Sequence, residues 1–178
     1  MRVVLVRHPA PDIAAGICYG RLNVALTQAA KHGLERQAAD PVLQGATRVW
    51  TSPAVRCRDL GCLIARRLAV DLIIDERLLE LDFGVWEGRD WDDVPRAALD
   101  RWAAAPAEFA PPGGESSAAL VRRVNRFFSD LCDNGRDCVV VSHGGPLKIL
   151  AAMLASRPVD LLAAPPPVGS LVVVEWRG

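Results

Sequence analysis

Two histidines stand at the ends of short apolar runs. His8 follows Arg7 in VVLVRHPAP (Val3 to Pro11), and His143 follows Ser142 in VVVSHGG (Val139 to Gly145). A third stretch, TRVWTSP (Thr47 to Pro53), ends in hydroxyls and is followed by Arg56. A fourth, LLELDFGVWEG (Leu78 to Gly88), supplies Glu80 and Glu87. Together these residue types suit phosphoryl chemistry. Two guanidiniums present planar forks of donors that match a dianionic phosphate. A histidine held among them can attack phosphorus, and a carboxylic acid nearby can protonate the departing oxygen. Helix N-termini after Arg56 and after His143 would add backbone N–H donors. Gly144 and Gly145 permit close approach of backbone to ligand.

Taken singly, each residue has an ordinary reading. A histidine after a strand is commonly structural, an arginine early in a helix commonly lies on the surface, and a glutamate commonly faces solvent. The conjunction carries the weight. Arg-His, Ser-Pro-x-x-Arg and Ser-His-Gly-Gly together, each at the end of an apolar run, are not expected by chance. Other chemistries lack their residues. No Cys is followed at the right spacing by the Arg of a cysteine-phosphatase loop, and there is no Gly-x-x-x-x-Gly-Lys-Ser/Thr loop and no Gly-x-Ser-x-Gly elbow. His8, His143 and an acid lack the close-spaced ligand pair of a zinc site, and flanking arginines would repel a cation.

The elements that must position these residues alternate between strand and helix. Arg2 to Val6 reads as a buried strand, and Thr27 to about Asp40 as a helix capped by Thr27. Thr47 to Pro53 reads as a strand and turn. Val55 to Ala69 reads as a helix, with Leu60, Leu63, Ile64 and Leu68 at helical spacing, and Val70 to Asp75 as a strand. A loop-and-helix excursion then precedes a long helix near Ser117 to Leu131. DCVVVSHGGPLKILAAML reads as strand, tight turn and helix, and GSLVVVEW as a last strand. This order implies an α/β fold with a mostly parallel central sheet. The continuously apolar strands fit a sheet covered on both faces, and ligands of such sheets bind beyond the carboxyl ends of the strands. That is where Arg7, His8, Arg56 and His143 fall.

The 178 residues fit one domain, 1–178, with a lid-like excursion near 86–116. Just over half are apolar and 24% are charged, a globular composition. Lys plus Arg and Asp plus Glu balance at 21 each, so the basic excess of a nucleic-acid binder is missing and any anion must be met by a few placed cations. The apolar start MRVVLV lacks a signal-peptide pattern, and no run is long enough to span a membrane. Five cysteines, an odd number without an export signal, point to reduced thiols and a cytoplasmic protein.

These motifs resemble the histidine phosphatase superfamily, with its phosphoglycerate-mutase-like three-layer α/β/α sandwich. The matching segments are Arg7-His8, Ser52-Pro53-Ala54-Val55-Arg56, Leu78 to Gly88, Pro111 to Ser116 (PPGGES) and Ser142-His143-Gly144, in order along nearly the whole chain. The resemblance implies that His8 is phosphorylated and that Arg7, Arg56 and His143 bind the phosphoryl group. It implies Glu80 as proton donor, in preference to Glu87, and requires neither metal nor cofactor. GICYGRLNVAL (Gly16 to Leu26), and the Cys after Arg56, further resemble the α-ribazole phosphatase branch. That branch removes the 5′-phosphate of α-ribazole phosphate or adenosylcobalamin phosphate in cobalamin biosynthesis. Tyr19 and Gly20, with Gly144, would then line the substrate pocket, Tyr19 either stacking on a base or packing the loop. Pro9 departs from the superfamily's glycine, Asn23 from the branch's Asp and Ala25 from its Pro. The implied ligand is a small-molecule phosphate monoester. The alternatives are a broad sugar or glycerate phosphatase, a phosphoglycerate mutase of the same superfamily, and a binding module without catalysis. Trp86, Trp91 and Trp102 are expected to pack the excursion.

Overall fold

In a computed structural model, which describes residues 1–177, apolar β-branched runs form the central strands. β1 (Arg2–Arg7) and β4 (Cys138–Ser142) lie side by side in the middle of the sheet. Val3, Val4 and Val6 in β1 and every residue of β4 are buried, as expected for strands covered on both faces. β2 (Arg48–Thr51) and β3 (Asp71–Ile74) extend the sheet on one side, and β5 (Leu171–Glu175) closes the other. The order is β3-β2-β4-β1-β5. All pairs are parallel except β1 with β5, which run antiparallel. β5 is a half-exposed edge: Val172 and Val173 look like core in the sequence and yet are exposed, while Val174 packs against the core.

Helices cover both faces. α1 (Gln28–Ala38) and α2 (Val55–Leu68) pack on one side, where Leu60 and Ile64 meet Val4, Val6, Val139 and Val141. α4 (Ser117–Asn134) and α5 (Gly144–Leu154) pack on the other, where Leu120, Phe127 and Leu150 meet Val3, Leu5 and Val140. This is the expected α/β/α sandwich. The helix ends follow local chemistry. The Thr27 hydroxyl accepts from the Ala30 N–H at 3.1 Å, capping α1 as its sequence predicts. Ser116 caps α4 in the same way, and α4 runs three residues past the expected Leu131, to Asn134, before Gly135 turns left-handed at φ 63°.

Between β3 and α4 the chain makes short 3₁₀ turns and one helix, α3 (Arg96–Ala104). Trp86 and Val94 are buried there with Cys18, and Trp91, Trp102 and Phe109 pack against them. Trp91 and Trp102 are stacked at 6.1 Å, as are Trp86 and Phe109 at 5.9 Å. The tryptophans build a small core of their own, as expected for packing residues. Among the described residues no helix is long and apolar enough to cross a membrane, and all five cysteines are free thiols.

Candidate active site

Strand order brings the motifs together. β4 lies between β1 and β2, so Arg7 pairs with Ser142 and Thr51 with Val141. The ladder continues one step past both neighbouring strands: His8 N–H donates to the Ser142 carbonyl at 3.1 Å, and Ser52 N–H to the Val141 carbonyl at 3.0 Å. The carboxyl ends of three parallel strands therefore deliver His8, Ser52 and His143 to one point. The two imidazoles stand edge to face with centroids 5.1 Å apart, both almost fully buried.

The tautomer of His8 is fixed by its partner. Nδ1 lies 2.7 Å from the Pro9 carbonyl oxygen, which can only accept, so Nδ1 carries the proton and Nε2 keeps the lone pair. Pro9 thus serves through its backbone carbonyl. Burial pushes the His8 pKa down to about 3; the Pro9 bond opposes this, and the charges of Arg56 and Arg7 reinforce it. His143 Nε2 lies 2.9 Å from the Ser52 hydroxyl, and its pKa is also held well below the ordinary value, first by burial and then by Arg56 and His8. The Cys57 sulfur is 3.5 Å from His143 Nε2; burial raises its pKa, so it packs there as a neutral thiol.

The two arginines are held by carbonyls rather than carboxylates. Arg56 is completely buried in the first turn of α2. Its Nη1 donates to the Leu22 carbonyl and its Nη2 to the Gly20 carbonyl, both at 2.7 Å. Arg7 Nη1 donates to the Pro166 carbonyl at 2.6 Å. Among the described residues neither guanidinium has an ion-pair partner, and the buried Nε–H of each finds no protein acceptor. Clustered donors of this kind suit an anion.

Gly144 and Gly145 open α5, where His143 is the N-cap residue. A Cβ on Gly144 would stand 3.1 Å from Arg7 Cζ, and one on Gly145 only 2.4 Å from Glu80 Oε1. Gly145 N–H instead donates to Glu80 Oε2 at 3.2 Å. Two of the N–H donors at these helix starts are thus taken within the protein. At α5 it is the Gly145 donor, taken by Glu80. α2 begins at Val55, before Arg56, and the Val55 N–H is taken by the Asn23 side chain at 2.8 Å. Asn23 supplies the cap that Ala54 lacks.

Glu80 and Glu87 separate cleanly. Glu87 Oε1 accepts from the backbone of Arg21 and of Phe83, at 2.8 and 3.0 Å, and so ties two loops together. Glu80 borders two cavities, of about 270 and 140 Å³. Phe83 lines both, with Trp102, Lys148 and Pro165 in the larger and Tyr19, Gly20 and Trp91 in the smaller. The Tyr19 ring faces the Arg56 guanidinium at 5.2 Å, so it packs that cation as well as lining the small cavity. Larger clefts of about 560 and 690 Å³ lie elsewhere on the surface; neither these nor the two cavities at Glu80 are lined by His8, His143, Arg7 or Arg56.

Several supporting residues escaped sequence reasoning. Ser52 was seen only as part of a motif, and Arg21, Glu115 and Arg123 were not singled out. Arg123 did leave a signal: it interrupts the apolar stripe Leu120, Val124, Phe127 and Leu131, and a charge on the buried face of a helix is seldom idle.

Known proteins resemble this chain in sequence and in fold. The chain is 33% identical over 167 residues to the adenosylcobalamin/alpha-ribazole phosphatase of Salmonella typhimurium, covering 89% of this chain and 81% of that one. Its structure resembles that of an alpha-ribazole phosphatase from Shigella flexneri (TM-score 0.88, 24% identity, 98% and 90% of the two chains covered). It also resembles a mycobacterial glucosyl-3-phosphoglycerate phosphatase (TM-score 0.82, 26% identity, 97% and 88% covered). Three longer mycobacterial proteins match at 32% identity, and the chain spans 43% of their length. The model of the histidine phosphatase superfamily (branch 1) matches residues 3–178, and this chain belongs to that superfamily.

Proposed function

We propose that the protein is a phosphomonoesterase that works through a phosphohistidine on His8, and that its substrate is α-ribazole 5′-phosphate or its adenosylcobalamin counterpart. The observation that carries the chemistry is the state of His8. Its Nδ1–H is engaged by the Pro9 carbonyl, and its Nε2 lone pair is left for phosphorus. Burial keeps the ring neutral. Arg7, Arg56 and His143 hold the phosphoryl oxygens, and the donors left over on both guanidiniums support that reading. Nε2 bonds to phosphorus as the ester P–O bond breaks, and Glu80 gives its proton to the departing alkoxide. Water then attacks the phosphohistidine, Glu80 takes its proton, and His8 is regenerated as phosphate forms. Preplaced positive charge supplies most of the stabilisation.

Two observations support the cobalamin-type substrate. Segment Gly16 to Leu26 supplies the carbonyls that hold Arg56 and the Tyr19 ring beside it. Apolar and aromatic side chains line both cavities at Glu80, which suits a leaving alcohol with a flat base better than a small anionic one. The reading extends to a cytoplasmic enzyme without metal or cofactor, in which residues 1–178 form one domain and residues 86–116 act as the lid.

The test is phosphate release from α-ribazole 5′-phosphate in EDTA, beside 3-phosphoglycerate, with His8→Ala as control. Preferred hydrolysis of the ribazole ester, lost by at least about a hundredfold in the variant, is the expected result. Preference for 3-phosphoglycerate would overturn the substrate, isomer formation would make it a mutase, and an active His8→Ala would overturn the chemistry.

A further inference from the structure

Two guanidiniums from distant parts of the chain converge on one carbonyl, that of Glu80. Arg123 Nη2 in α4 donates to it at 2.8 Å, and Arg21 Nε in the Gly16 to Leu26 segment donates at 3.3 Å. Arg123 is itself buried. Its Nη1 donates to the Arg77 carbonyl at 2.7 Å, and its remaining edge grips the Glu115 carboxylate through Nε and Nη2. Glu115 also accepts an ion pair from Arg21 at 3.1 Å, and its backbone N–H donates to the Asp82 carbonyl at 3.0 Å.

We propose that Arg123, clamped by Glu115, is a positioning residue that orients the Glu80 carboxyl by fixing the main chain from which it projects. The inference rests on the reading of Glu80 as proton donor. A buried ion pair is weak evidence of stabilisation, since desolvation offsets much of the attraction. The donors that the carboxylate leaves over are spent on the carbonyls on either side of Leu78 and Leu79, which ties the pair to the segment that carries Glu80. The bonds lie where rigidity matters. Among the described residues the carboxyl itself has two backbone partners, Leu81 N–H at 2.9 Å and Gly145 N–H at 3.2 Å. Both leave it free to swing if residues 77–80 shift. A planar, bidentate guanidinium braced on a carboxylate gives that segment one arrangement. Small displacements of a catalytic group are costly in rate.

Leaving-group dependence separates positioning of an acid from general loss of structure. Nitrophenolate departs without a proton, whereas a benzyl alkoxide needs one, and the two esters are close in size. We expect Arg123→Lys, Glu115→Gln and Arg21→Met to lower kcat/KM for benzyl phosphate by about tenfold or more. For p-nitrophenyl phosphate the change should stay within about threefold. Glu80→Gln should give the same split, larger. Equal losses on both esters, or no loss on either, would overturn the inference and leave the cluster a structural one. If Arg123→Lys does not fold, Glu115→Gln decides. If Glu80→Gln itself shows no split, the reading of Glu80 as the acid fails; if Glu80→Gln splits and the other variants do not, the positioning claim alone fails.

Discussion

His8 owes its protonation state to its surroundings more than to its type. An imidazole in water is half protonated near neutral pH; here burial, Arg56 and Arg7 hold it neutral down to about pH 3 against the pull of the Pro9 carbonyl. The same shift links acidity to stability. The unfolded chain takes up a proton on His8 below about pH 6.5, and the folded chain refuses it until about pH 3. Stability contributed by this residue is therefore complete above pH 6.5 and declines as the pH falls. The slope is at most about 1.4 kcal/mol per pH unit. His143 acts in the same direction. Urea unfolding between pH 7 and pH 4 should thus show a steeper acid loss for the wild type than for His8→Asn. Equal slopes would mean that His8 protonates inside the fold.

At the scale of elements, the site depends on helix starts that meet loops at close quarters. The first turn of α5 lies against Glu80 only because Gly145 has no side chain. A methyl there would stand 2.4 Å from Glu80 Oε1, so the carboxylate must swing aside and lose the Gly145 N–H. Gly145→Ala should cut kcat/KM by about tenfold or more. Alanine is the better helix former, so the thermal midpoint should hold or rise. An active variant would show that Glu80 has room the structure denies it. The α2 start works differently. Asn23 caps the Val55 N–H from a separate loop, and that loop returns the favour by giving Arg56 two carbonyls. Asn in place of Asp keeps the cap through its Oδ1.

Across the whole molecule, legibility followed the range of the interactions involved. The apolar runs of β1 and β4 and the residues at their ends were readable because period, length and breakers are local signals. The strands' adjacency was not. Only the order β2-β4-β1 turns three separate strand ends into one site, and non-local pairing leaves no mark in a single sequence. The antiparallel direction of β5 was hidden for the same reason. Asn23 and Pro9 could be flagged as departures, but their uses lie in a hydrogen bond to another element and in a backbone carbonyl. The Arg123–Glu115–Arg21 cluster joins residues about a hundred positions apart, and only the break in the α4 stripe hinted at it.

Arg56 has a further consequence for how the protein should be handled. A fully buried cation held by two carbonyls, with its Nε–H unspent and, among the described residues, no carboxylate in ion-pair range, carries a desolvation cost in the fold. A tetrahedral oxyanion relieves that cost in the native state and finds no equivalent in the unfolded one. Orthophosphate or vanadate should therefore act as a folding ligand: at a hundred times its dissociation constant it would add about 2.7 kcal/mol. Differential scanning fluorimetry in phosphate against chloride at equal ionic strength would register this as a rise in melting temperature, absent in Arg56→Met. The reaction product would then double as the protein's own preservative, and a preparation stripped of it would be the first to aggregate.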